Sequence, residues 1–137
     1  MIASYGLQTI VEQWMERWND HDLDAVMTLF HEDASFVSWS GQRIKGKKSI
    51  RRAWADWFRN HGNFVFSIEL VATDEAQQVV TIQWQLVWPS HEQAYLNKKE
   101  LRKGVDIVHF KDGLIVLKKS YCQTVLIIDT EKVCLHL

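Results

Sequence analysis

The sequence predicts an α+β domain, with three helices followed by an antiparallel sheet. Two observations carry that prediction. Up to about residue 61 the apolar residues recur at helical spacing, whereas from residue 63 the period changes to two. Between two late apolar runs lies Asp112-Gly113, a pair suited to the positive-φ positions of a tight type I′ hairpin.

The elements follow in chain order. Over 5–19, Leu7, Ile10, Val11, Trp14, Met15 and Trp18 form one stripe of an amphipathic helix, with Ser4 as its N-cap. "NDHD" interrupts it. Asp22 then caps a second helix carrying Leu23, Val26, Met27 and Phe30 on one face. "ASFVSW" (34–39) reads as a strand and "SGQRIKG" as a loop. A third helix over 47–61 lines up Ile50, Trp54, Trp57, Phe58 and His61, and Gly62 stands where a C-terminal cap needs it. Four strands are expected at 63–73, 78–89, 99–110 and 114–125. The second of these alternates Ile82, Trp84, Leu86 and Trp88 against Gln83, Gln85 and Val87.

At 137 residues, one domain spanning 1–137 is expected, with a core of about 7–123 and an extension over 124–137. A formal net charge of −1 creates no broad field for nucleic acid or an anionic membrane, so neither is expected as a partner. The start, "MIASYGLQTIVEQWMERW", lacks the basic segment and apolar run of a secretory signal. Cys122 and Cys134 form no CxxC or zinc spacing. A cytoplasmic protein with free thiols is the expectation.

None of the six histidines falls in a metal-binding spacing, no serine sits in a nucleophile elbow, and no glycine-rich phosphate loop exists. Neither a metal nor a cofactor is therefore expected. The basic run "KGKKSIRR" reads as a solvated helix face, because Ile50, Trp54 and Trp57 already claim the buried side.

Two features stand out. One is tryptophan, seven in 137 residues. Most should be core, but a pocket lined by several would suit a flat apolar ligand. The other is Asp106, a carboxylate inside "KGVDIVHFKDGLIVLKKS" with Val105, Ile107 and Val108 around it. It can hydrogen-bond, or pass a proton to, a carbonyl or enolate oxygen. It can equally be a structural residue on the wet side of a hairpin. Lys118 and Lys119 are adjacent in the last strand, so one should face inward and one outward.

"W...WNDHDLDAVMTLFHEDASFV", "G....I" entering a helix, and "GVDIVHFKDGLIVLKKSY" together resemble the nuclear transport factor 2-like superfamily, nearest to its SnoaL-like polyketide cyclases and ketosteroid isomerases. The resemblance covers about residues 7–123. It implies a cone: a curved antiparallel sheet wrapped around an N-terminal helix, enclosing an apolar pocket. It also implies homodimers that pair through the outer sheet face. Asp106 falls where the isomerases keep an oxyanion-hole aspartic acid, a case well described for that chemistry. The isomerase tyrosine corresponds to Trp14 and its general base to Ser38, so the familiar steroid isomerisation is not expected.

The functions left open are three. The first is an isomerase-, cyclase- or lyase-type enzyme moving a proton with Asp106 on a small, apolar, carbonyl-bearing molecule. The second is a non-catalytic binder using the same pocket. The third is an interaction or regulatory domain. Trp14, Trp18, Ser38, Trp54, Trp84, Trp88 and Lys118 are the expected ligand contacts.

Overall fold

The computed structural model describes residues 4–134. Helix α1 (Ser4–Asn19) is followed by a short α2 (Leu23–Met27), strands β1 (Phe30–Val37) and β2 (Arg43–Lys45), and helix α3 (Lys47–Asn60). The long strands β3 (Val65–Asp74), β4 (Val79–Pro89), β5 (Lys99–Lys111) and β6 (Leu114–Cys122) come next, and β7 (Val125–Ile128) and β8 (Glu131–Cys134) close the described chain. The sheet runs β2-β1-β6-β5-β4-β3. Every pairing is antiparallel except β1 with β6, which is parallel.

Local chemistry explains most boundaries. The Asp22 carboxylate accepts from the Ala25 N–H at 3.1 Å and starts α2, as expected of an N-cap. The side chain of Ser4, read as the cap of α1, lies outside the described residues. Phe30 was expected on the face of α2. It instead begins β1, because α2 ends at Met27 after five residues. The segment read as a loop after residue 39 contains β2, which pairs Ile44 with Phe36. Helix α3 stops at His61, and Gly62 takes φ +55°, a left-handed conformation that glycine adopts without a Cβ penalty. Asp112 (φ +53°) and Gly113 (φ +79°) form the hairpin turn between β5 and β6.

The expected period of two is visible in burial. On β4, Val80, Ile82, Trp84, Leu86 and Trp88 are buried against the helices. On β5 the same inner face carries Glu100, Arg102, Gly104, Asp106, Val108 and Phe110. Gly104 has a packing reason. A Cβ there would drive into both the Trp84 ring and the Tyr121 carbonyl oxygen. The missing side chain lets the indole pack directly on the β5 backbone.

The extension forms a hairpin. Strands β7 and β8 pair with each other, and β7 continues along the edge of β5 beyond the end of β6, with Leu101 opposite Ile127. Leu126 and Ile128 are buried, which accounts for the apolar character of this segment. Residues 135–137, the end of the apolar tail, lie outside the described residues.

The outer face of the sheet is also partly apolar. Ile127, Leu101, Val87 and Val65 stand opposite one another across β7, β5, β4 and β3, and Tyr121 stands opposite Val105. Val65 is 50% exposed and Tyr121 is 53% exposed.

Candidate functional site

Between α1, α3 and the inner sheet face lies a cavity of about 350 Å³. Helix α1 contributes Trp18, α3 contributes Ala53, Trp54 and Trp57, and β1 and β3 contribute Phe36 and Phe66. Ser38, Trp39 and Ser40, on the loop joining β1 and β2, complete one side together with Ile44. Four of the seven tryptophans therefore wall the cavity. Its polar groups are Ser38 and Ser40 from that loop and Lys118 and Ser120 from β6, of which Lys118 brings the charge.

Of the two adjacent lysines, Lys118 is the inward one, only 7% exposed. Its Nζ lies 3.2 Å from Asp106 Oδ2 and donates to Ser120 Oγ at 2.7 Å. The ammonium also stands over three rings, 4.8 Å from the centroid of Phe36, 5.5 Å from Trp54 and 6.0 Å from Trp18. A buried ammonium is costly unless compensated, and here the carboxylate, the hydroxyl and the π faces all compensate it. An ammonium has three N–H donors. One is given to Ser120, and Asp106 faces the ammonium as an ion-pair partner, so at least one N–H has no acceptor among the described residues.

Asp106 is buried, at 6% exposure, so the wet-side alternative for this residue does not hold. It stands opposite Ser120 on β6 and Ile82 on β4. It is not part of the cavity lining and sits behind Lys118. Its Oδ1 has no hydrogen-bond partner.

Trp18, Ser38, Trp54 and Lys118 thus come together around the cavity. Trp14, Trp84 and Trp88 do not, and the expectation that they line it is corrected here. Trp14 is fully buried and donates its indole N–H to the Val26 carbonyl at 3.1 Å, which fixes it between α1 and α2. Trp84 is packed onto Gly104, and Trp88 gives its indole N–H to Glu100.

The SnoaL-like domain family matches residues 11–118. The chain belongs to the SnoaL-like family. Among solved structures, it is similar to an epoxide hydrolase/cyclase-like enzyme, SalBIII, described as having a role in pyran ring formation in the polyether salinomycin. The TM-score is 0.77 at 14% identity, covering 90% of this chain and 95% of that one. At that identity the likeness establishes the fold, the nuclear transport factor 2-like α+β cone. No curated protein matches the chain. No helix among the described residues is long and apolar enough to cross a membrane.

This SnoaL-like cone holds a second polar cluster that the sequence reading missed. Glu100, 0% exposed, accepts from Ser90 Oγ at 2.9 Å and from Arg102 Nε at 2.6 Å, besides the Trp88 indole. Arg102 reaches on to Glu92 at 3.4 Å. Its guanidinium lies 5.2 Å from the centroid of Trp88 and 5.5 Å from that of Trp39. The signal for both charged residues was available. They share the parity of Asp106 on one strand, so an inward Asp106 implies an inward Glu100 and Arg102.

Three groups have perturbed titration, two of them near this cluster. Burial lowers the pKa of His61, whose ring stacks on Trp88 and Trp57. Burial also lowers the pKa of His109, which points to the outer face. Burial pushes the Cys122 thiol up, against the pull of Arg102, so it is a weak nucleophile near neutral pH.

Proposed function

We propose that the chain binds a small, apolar, carbonyl-bearing molecule among the cavity tryptophans and moves a proton on it. The observation that carries this reading is the Lys118 ammonium, which lines an apolar cavity with at least one N–H that has no acceptor among the described residues. A carbonyl oxygen placed on that donor gains negative charge as an adjacent C–H loses its proton. A fixed positive charge in a site of low dielectric stabilises the resulting enolate. In this reading the Asp106 carboxylate, unpartnered at Oδ1 and ion-paired through Oδ2 with Lys118, takes the proton and returns it as an acid, which requires the ligand to reach past the ammonium to a group behind the lining. A second reading, binding without chemistry, is favoured by the position of Asp106 behind the lining.

Binding of 2-acetylnaphthalene, followed by tryptophan fluorescence, tests the cavity. Lys118→Met is expected to weaken it about tenfold, the loss of one charge-assisted hydrogen bond. Equal affinity in the variant would sink the role given to Lys118. Exchange of the ketone's α-hydrogens in D2O, read by NMR, separates the two readings. The proton-transfer reading expects catalysed exchange by the native protein, and binding without exchange leaves the non-catalytic one.

We further infer that two copies pair through the outer sheet face. The row Ile127, Leu101, Val87 and Val65, together with Val105 and Tyr121, supports this, because association removes such a row from water. Sedimentation at micromolar concentration should give twice the 16.1 kDa chain mass. Tyr121→Lys with Val65→Lys should shift it to the monomer. A native protein sedimenting as a monomer would refute the pairing.

A further inference from the structure

We propose that Arg102, which does not line the cavity, sets the size of ligand the cavity accepts by holding Trp39 in place as a wall. The inference rests on the cavity being the ligand site.

Trp39 is carried by the short loop 38–42 between β1 and β2. Two backbone hydrogen bonds close that loop on itself, from the Ser38 N–H to the Gln42 carbonyl and from the Gly41 N–H to the Ser38 carbonyl, both at 2.9 Å. Neither bond ties the loop to the rest of the sheet. The indole is what reaches inward. It stacks on Trp84, with centroids 5.7 Å apart and planes at 28°, and it meets Trp88 at 6.1 Å. The Arg102 guanidinium lies over the same indole.

The guanidinium is held on the far side. Its Nε is bonded to Glu100, and Glu100 is itself fixed by Ser90 and Trp88. Its Nη2 reaches Glu92, on the connection between β4 and β5. A planar cation pinned at two edges presents a fixed face to an indole, which a flexible ammonium could not do. Arg102 therefore connects a fully buried carboxylate to the one indole on the cavity's loop side. Arg102 is a positioning residue: it acts on the ligand through Trp39.

Replacing Arg102 alone would leave Glu100 buried and unpaired, which threatens the fold. The test therefore uses Arg102→Met combined with Glu100→Gln, which removes both charges and keeps an acceptor for Trp88. The first readout needs no ligand. Amide hydrogen exchange at Ser38 and Gly41 should rise by about fivefold or more, the freedom gained when one guanidinium–indole contact is lost, while the α3 amides keep their rates. The second readout compares 2-acetylnaphthalene with the larger 1-acetylpyrene. The native protein should prefer the smaller ketone, and the double variant should reduce that preference by about fivefold. Adding Trp39→Ala should change the preference no further, because both substitutions remove the same wall. Unchanged loop exchange overturns the proposal, and so do effects of Arg102 and Trp39 that multiply independently. If neither ketone binds the native protein, the cavity reading fails, while the exchange rates still decide whether Arg102 holds the loop.

Discussion

Asp106→Leu should destabilise the protein by about 3–5 kcal/mol, and adding Lys118→Met should recover most of that loss. The asymmetry follows from burial. Asp106 and Lys118 are 6% and 7% exposed, so taking away the carboxylate leaves an ammonium with no counter-charge in an apolar site. The three rings and Ser120 compensate it only in part. Removing both charges leaves hydrophobic side chains of similar volume, which such a site tolerates. Thermal unfolding would show the single variant's midpoint lowered on the order of 10 °C or more. A single variant as stable as the native protein would mean that the pair is not buried as described. Asp106→Asn keeps the shape and an oxygen acceptor for Lys118 while removing the charge, so its stability is measured alongside its chemistry. In the proton-transfer reading, it should slow ketone exchange by about 10²–10⁴, the usual contribution of an acid–base group. Exchange at the native rate would remove Asp106 from that role.

The second large effect is expected at Gly104. Gly104→Ala places a methyl group against the Trp84 ring and the Tyr121 carbonyl at once. The ring could turn away, but the carbonyl belongs to the β5–β6 ladder and cannot move without breaking it. Overpacking of this kind costs typically 1–3 kcal/mol, and a clash with backbone places it at about 3 kcal/mol or above. Trp84→Leu in the same chain should relieve only part of the loss, since the carbonyl clash remains. Denaturant unfolding of the two variants would check this. A fully rescued double variant would show that the ladder does yield.

Much of the fold was legible because its signals are local. The stripe on α1, the strong alternation of β4 and the Asp112-Gly113 turn each depend on a few neighbouring residues. Phe30 was misplaced for the same reason: at the end of a five-residue helix, its spacing fits helix and strand alike. In the site, Lys118 and Lys119 could be divided by parity but not assigned, since either face of a strand can be the inner one. Trp14 and Trp18 lie on one helical stripe, yet Trp14 contacts α2 and Trp18 reaches the cavity. Periodicity separates inside from outside and cannot separate core from cavity wall. Trp39 was expected at the end of a strand over 34–39, whereas β1 ends at Val37 and Trp39 stands on the loop beyond it, with partners on β4 and β5 that no local pattern reveals.

The parallel pairing of β1 with β6 has a consequence for how the site assembles. It brings Phe36 beside Lys118, and these two residues form one side of the ammonium's aromatic surround. No hairpin makes this contact. It closes a loop spanning most of the chain, and the entropy of that closure must be met before any contact across it is formed. The remaining strands can zip in sequence from one turn to the next, whereas this seam waits for the end of β6. On a ribosome, the cavity walls contributed by α1 and α3 are made early and the Lys118 charge beside them is made late. Until β6 emerges, Trp18 and Trp57 can already pack on Phe64 and Phe66, but the ammonium that faces Trp18 is missing, so the aromatic wall precedes its lysine in the order of synthesis.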